Sequence, residues 1–140
     1  MDFPCDYHLV NHVEMNAVTV SGKYLFGFPF IVFGILHFIN GEAMSAMVPL
    51  PGGVVWVYLT GLVMLMAGVC ILIERKDAIA TFFLGLLLLC YVFLIHLPVV
   101  IESGGTDPMA TTNLLKDLAL SGAAFVYSRS AARDRTKQLT

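Results

Sequence analysis

The sequence predicts an all-α integral membrane protein: a four-helix bundle with up-down, left-handed packing and both termini in the cytoplasm. Three observations predict it. Apolar residues make up 58% of the 140 and charged residues only 13%, against ~45–50% and ~25% in soluble domains; so little polar surface cannot cover a soluble core of this size. The apolar residues fall into four runs at or near the ~17–25 residues that a bilayer crossing needs. Lysine and arginine collect almost wholly on one side of those runs.

Residues 1–22 form a cytoplasmic or interfacial N-terminal segment. Asp2, Asp6 and Glu14 stand where a secretory signal would be basic, and no early apolar stretch follows. His8 and His12 are spaced i, i+4, which a metal could use; the reading taken is two exposed histidines on a short polar helix. The membrane domain covers 23–128. Its first span runs from Tyr24 to Ile39, extended at the interfaces by Lys23 and Asn40. The second runs from Val54 to Ile73, the third from Ala78 to Val100 with Pro98 near its end, and the fourth from Asn113 to Ser128. Only Glu74-Arg75-Lys76-Asp77 separates the second from the third, which makes them antiparallel neighbours. The tail 129–140 is basic and expected to be solvated, close to an anionic inner leaflet.

With four spans, Lys23, Arg75, Lys76, Arg129, Arg133, Arg135 and Lys137 share one side, and only Lys116 lies on the other. The positive-inside rule then places both termini in the cytoplasm. Trp56 fits an interfacial anchor at the outer end of the second span. Two loops face outward: 41–53, with an apolar middle followed by Pro49, Pro51 and Gly52-Gly53, and 101–112, with Gly104-Gly105 and Asp107-Pro108 as turn signals.

At ~100° per residue each span has one small or polar side. Gly27, Gly34, His37 and Asn40 share a side of the first; Tyr58, Gly61 and Gly68 of the second; Thr81, Gly85 and His96 of the third. Asn113, Lys116, Asp117, Ser121, Ala124 and Ser128 form a stripe on the fourth. Glycines let membrane helices approach closely, so these sides are expected to face inward. Cys5, Cys70 and Cys90 make no C-x-x-C pair, and no dithiol centre is expected. No basic patch with interleaved aromatics points to nucleic acid.

The main chemical signal is a convergence at the outer end. His37, Asn40, Glu42, Tyr58, His96, Lys116 and Asp117 form the candidate ligand-binding set, with Glu102, Asp107 and Asn113 in adjoining positions, while the inner halves of the spans carry almost nothing ionisable. Ionisable groups at membrane depth need partners, water or a task. One reading is structural: these side chains hydrogen-bond across helices and Lys116 snorkels outward. The other is a small-molecule site, in which a quinone-like ring places its head among His37, His96, Lys116 and Asp117, with Tyr58, Phe30 and Phe33 able to flank it; ordinary helix packing is the reading taken for these aromatics. Histidine titrates in the range that proton uptake requires. A metal on His37, His96 and Glu42 or Asp117 lacks a dense ligand motif, so no metal is assigned. A haem between His37 and His96 is a further reading. No catalytic residue is assigned.

The stretches Phe33-Gly34-Ile35-Leu36-His37-Phe38, Ala43-Met44-Ser45-Ala46-Met47-Val48-Pro49, Tyr58-Leu59-Thr60-Gly61, Ile95-His96-Leu97-Pro98 and Leu114-Leu115-Lys116-Asp117-Leu118-Ala119-Leu120 resemble the DoxX family of bacterial membrane proteins. The resemblance covers about Lys23 to Tyr127, and the Leu-Lys-Asp-Leu-Ala-Leu run is its most specific element. It implies a four-helix protein of the bacterial inner membrane. The family is related by name and sequence to the membrane subunit of an archaeal thiosulfate:quinone oxidoreductase, and some members are associated with thiol and oxidative-stress systems. Where many relatives carry a lysine near the end of the first helix, this chain has His37 and Phe38. The expectation is a redox-linked protein with a quinone-like or sulfur-compound site at the periplasmic end. The alternatives are a non-catalytic anchor or scaffold for a partner oxidoreductase and a small lipid- or solute-binding carrier, each as monomer or homo-oligomer.

Overall fold

The computed structural model describes residues 6–48 and 50–138, with side-chain surroundings for 21–48 and 50–136; Cys5 and the His8/His12 pair lie outside the latter. All regular structure among the described residues is helical. The elements are α1 (Asp6–Ile39), α2 (Gly41–Ser45), α3 (Gly53–Leu72), α4 (Asp77–Tyr91), a π-helical turn (Val92–His96), α5 (Leu97–Glu102) and α6 (Pro108–Gln138). Three stretches are long and apolar enough to cross a bilayer: Ser21–Ile39, Gly53–Leu72 and Asp77–Glu102. They match the first three expected spans to within three residues at each end. Large apolar side chains such as Leu25, Phe28, Val55, Met66, Phe83 and Phe93 point outward, a surface that lipid covers and water would not.

α1 packs along α3, α3 against α4, and α4 along α6. Glycine explains the first contact. Gly27 and Gly34 of α1 lie against Gly68 and Gly61 of α3, so closely that a Cβ on Gly34 would stand 2.7 Å from the Gly61 carbonyl oxygen and one on Gly68 2.8 Å from that of Gly27. The backbones touch because no side chain separates them. Between α3 and α4 the chain reverses over 73–76, with Glu74 and Lys76 both at positive φ, a conformation that costs a non-glycine residue about 1 kcal/mol or more. Phe30, Met64, Ala67, Ile71, Leu84 and Leu88 make the core, joined by Phe26, Tyr91, Leu120 and Tyr127 from its edges.

Three elements differ from expectation. α1 runs unbroken from Asp6, so the N-terminal segment is not a separate helix; Pro29 is accommodated inside it. α6 begins at Pro108, five residues early, because Asp107 Oδ1 accepts hydrogen bonds from the amides of Met109 (2.9 Å) and Ala110 (3.2 Å) and proline suits the first helical position. α6 also continues through Gln138, so the basic tail is helical at least that far.

The third span is broken locally as well. Pro98 has no amide hydrogen, and its ring crowds the carbonyl four residues back. The helix widens just before it: the Leu97 amide bonds to the Val92 carbonyl, five residues earlier. One added residue rotates the following positions by about 100°, and His96 stands at the end of that turn.

Candidate functional site

At the His37 and His96 ends of the helices polar side chains meet in the interior. His37, on α1 one turn past the Gly34 contact, is only 7% exposed. Its Nδ1 lies 2.7 Å from the Phe33 carbonyl oxygen and its Nε2 lies 3.2 Å from the Tyr91 hydroxyl on α4. A carbonyl only accepts, so Nδ1 carries the proton; in the neutral ring Nε2 then accepts from Tyr91. Gly61 makes room for the ring, since a Cβ there would stand 2.5 Å from the His37 Cβ. Tyr91 also lies beside Thr60 of α3 and within electrostatic reach of Asp117 of α6. Asp117 is 6% exposed, and its Oδ2 accepts a 3.0 Å bond from His96 Nε2. The two imidazoles thus present opposite faces to the interior: His37 Nε2 accepts, and His96 Nε2 donates.

Of the sequence-predicted residues, the structure pairs His96 with Asp117 and links His37 to them only through Tyr91. Lys116 stays at the margin. Its side chain is half-exposed, bonded to Asn113 Oδ1 at 3.3 Å and 3.8 Å from Asp117 Oδ1. It leaves the inward stripe of α6, because its long stem carries the amine out to the surface at little cost. Asn40 and Glu42 are exposed. Tyr58 is displaced too: it stacks on Phe38 at 5.7 Å and covers Gly41, where a Cβ would meet its ring at 2.3 Å. None of these three joins the His37–Tyr91 or His96–Asp117 contacts. Phe30 is core and packs edge-on against Phe26. Glu102 is exposed, and Asp107 is occupied as the cap of α6.

Tyr91 is the residue that sequence reasoning missed. It carries no charge and lies in an unbroken apolar run, so only its counterparts on other helices reveal it. A second polar group was also missed, at the opposite pole. Asp77, 6% exposed, pairs with Arg135 and lies 3.5 Å from the Tyr127 hydroxyl. Ser128 donates to the Ala78 carbonyl at 2.6 Å, and Lys23 pairs with Glu74. The Asp77 ends of the helices are therefore not empty of ionisable groups; α6 supplies the Arg135 partner by continuing as helix.

Among the described residues every buried side-chain nitrogen or oxygen has a hydrogen-bond partner, and no three His, Cys, Asp or Glu side chains gather as a metal would need. Both imidazole Nε2 atoms are engaged, so neither is free to ligate a haem iron as it stands. One hollow opens beside Tyr24, Phe28 and Leu72 and another beside Arg129 and Arg133; neither of these is lined by His37, Tyr91, His96 or Asp117. No protein-family profile, curated protein or solved structure matches the chain.

Proposed function

We propose that this chain is a DoxX-like protein of the bacterial inner membrane, with four spans in up-down, left-handed order and both termini cytoplasmic. In this reading its periplasmic pole binds the head of a quinone-like or small sulfur compound for a redox reaction, with electrons supplied by a partner oxidoreductase. The observation that carries the site is a buried imidazole, His37, bonded to Tyr91, beside a partly buried one, His96, bonded to the buried Asp117 carboxylate, with Tyr91 and Asp117 within electrostatic reach of each other.

The fourth span is supported by which way α6 turns its polar residues. α6 is not apolar enough to qualify by composition, yet Asp117, Ser121 and Ala124 are buried against α4 while Leu115, Leu118 and Val126 face out. Its contacts run from His96–Asp117 at one end of α4 to Asp77–Arg135 at the other, so it lies along α4 for nearly its whole length. Polar residues turned inward are compatible with lipid outside. The basic residues then fall at the Asp77 pole, which the positive-inside rule assigns to the cytoplasm.

At the other pole, reduction of a quinone takes up two electrons and two protons. His96 and Lys116 are the donors nearest the Asp117 carboxylate, and a headgroup entering from the half-exposed Lys116 side would meet them first. Extraction of the purified protein followed by mass spectrometry tests this. A quinone or sulfur compound should copurify with the wild type and be lost from a folded His96→Ala variant. A wild type that carries neither, or a variant that retains the compound, removes the reading.

One observation favours a second reading, that of a non-catalytic anchor or scaffold. Among the described residues the buried polar atoms are already paired, as they would be if the network only locked the helices together. That reading predicts that nothing copurifies and that His37→Ala and His96→Ala cost stability alone.

A further inference from the structure

We infer that the outward side of α6 near its C-terminal end holds an anionic phospholipid, with the phosphate between Arg129 and Arg133. A hollow of about 360 Å³ lies there, lined by Val126, Arg129, Ser130, Arg133 and Asp134, a size that suits a small headgroup. These positions recur at i, i+3, i+4, i+7 and i+8, so they occupy one side of the helix. Asp117, Ala124 and Arg135 occupy the other, against α4.

Among the described residues Arg135 and Lys23 have carboxylate partners, whereas Arg129 and Arg133 are exposed and have none. Two arginines one turn apart offer a phosphate several N–H donors in fixed planes. The Asp134 carboxylate at the margin opposes an anion and sets an upper limit on the charge the site attracts.

What distinguishes a lipid from a free anion is the surface continuing below the arginines. Val126 is 72% exposed. One turn further along the same side, Gly122 leaves open space, with no atom within 4 Å of where a Cβ would be. Leu115 and Leu118 extend the apolar surface. An acyl chain lying over Leu118, Gly122 and Val126 brings its phosphate to Arg129 and Arg133. The Asp77–Arg135 pair keeps this part of α6 against α4, so the arginines are held at a fixed height. The inference needs the membrane setting but no ligand at the opposite pole.

Native mass spectrometry of the delipidated protein in mild detergent, titrated with phosphatidylglycerol or phosphatidylcholine, tests it. The wild type should retain phosphatidylglycerol over phosphatidylcholine, and Arg129→Gln with Arg133→Gln should weaken that retention on the order of tenfold. Arg75→Gln with Lys76→Asn removes the same charge elsewhere at this pole and should leave retention unchanged. Equal retention of the two lipids would overturn the inference. So would equal losses in both double variants, or inorganic phosphate binding as well as the lipid does.

Discussion

At the His37 pole the polar groups sit within the helices and meet by hydrogen bonds deep inside. At the Glu74 pole they meet as ion pairs in which one member is exposed: Glu74 with Lys23, and Arg135 with the buried Asp77. Asp117 lies nine residues into α6 and is paired with a histidine; Lys23 pairs with Glu74, whose side chain is 59% exposed. The contrast follows from the solvent. A charge at the membrane interface keeps much of its hydration and needs little from its partner. A carboxylate facing hydrocarbon must be hydrogen-bonded, and its loss leaves the partner stranded. The two poles should therefore respond very differently to equivalent substitutions.

The largest effect belongs to the glycine that makes room for His37. Gly61→Leu places a side chain where even a Cβ would stand 2.5 Å from His37, and should cost about 3 kcal/mol or more, read as thermal unfolding in detergent. Gly122→Leu, with open space around it, should change stability by no more than about 0.5 kcal/mol. Equal effects at the two glycines would mean that α1 and α3 do not touch as described. Next comes Asp117→Ala, which strands His96 and should cost about 2 kcal/mol; Asp117→Asn, which keeps an acceptor for it, should cost about half as much.

At the other pole Arg135→Gln should cost about 1 kcal/mol, since Tyr127 remains beside Asp77 and the arginine is 40% exposed. Lys23→Gln should cost less than about 0.5 kcal/mol, an effect that 0.5 M salt removes. If Lys23→Gln proved as damaging as Asp117→Ala, the distinction between the poles would fail.

The parts of this arrangement legible in the sequence are those set by local pattern. Runs of apolar residues located the first three spans, and glycine positions marked the sides of α1 and α3 that lie against each other, though not that these two helices are partners. The 3.6-residue stripe on α6 placed Asp117, Ser121 and Ala124 inside, but it also took in Lys116, because periodicity does not know that a long side chain can bend away. Tyr91 was hidden by being uncharged within an apolar run. Arg135 was hidden for the opposite reason: a cluster of charges reads as a solvated tail, and only the continuation of α6 brings this one back to Asp77, 58 residues distant. The π turn that positions His96 depends on how the chain relaxes around Pro98, which composition alone does not express.

The account rests on α6 crossing the membrane despite its polar composition, with its carboxylate and serines turned toward α4. Single cysteines test this directly in a background where Cys5, Cys70 and Cys90 are alanine. Thr106→Cys and Thr136→Cys flank the helix on opposite sides of the proposed bilayer. In intact cells a membrane-impermeant maleimide should modify the first and reach the second only after the membrane is opened. Modification of both positions from outside would mean that α6 does not cross, and would contradict the four-span arrangement.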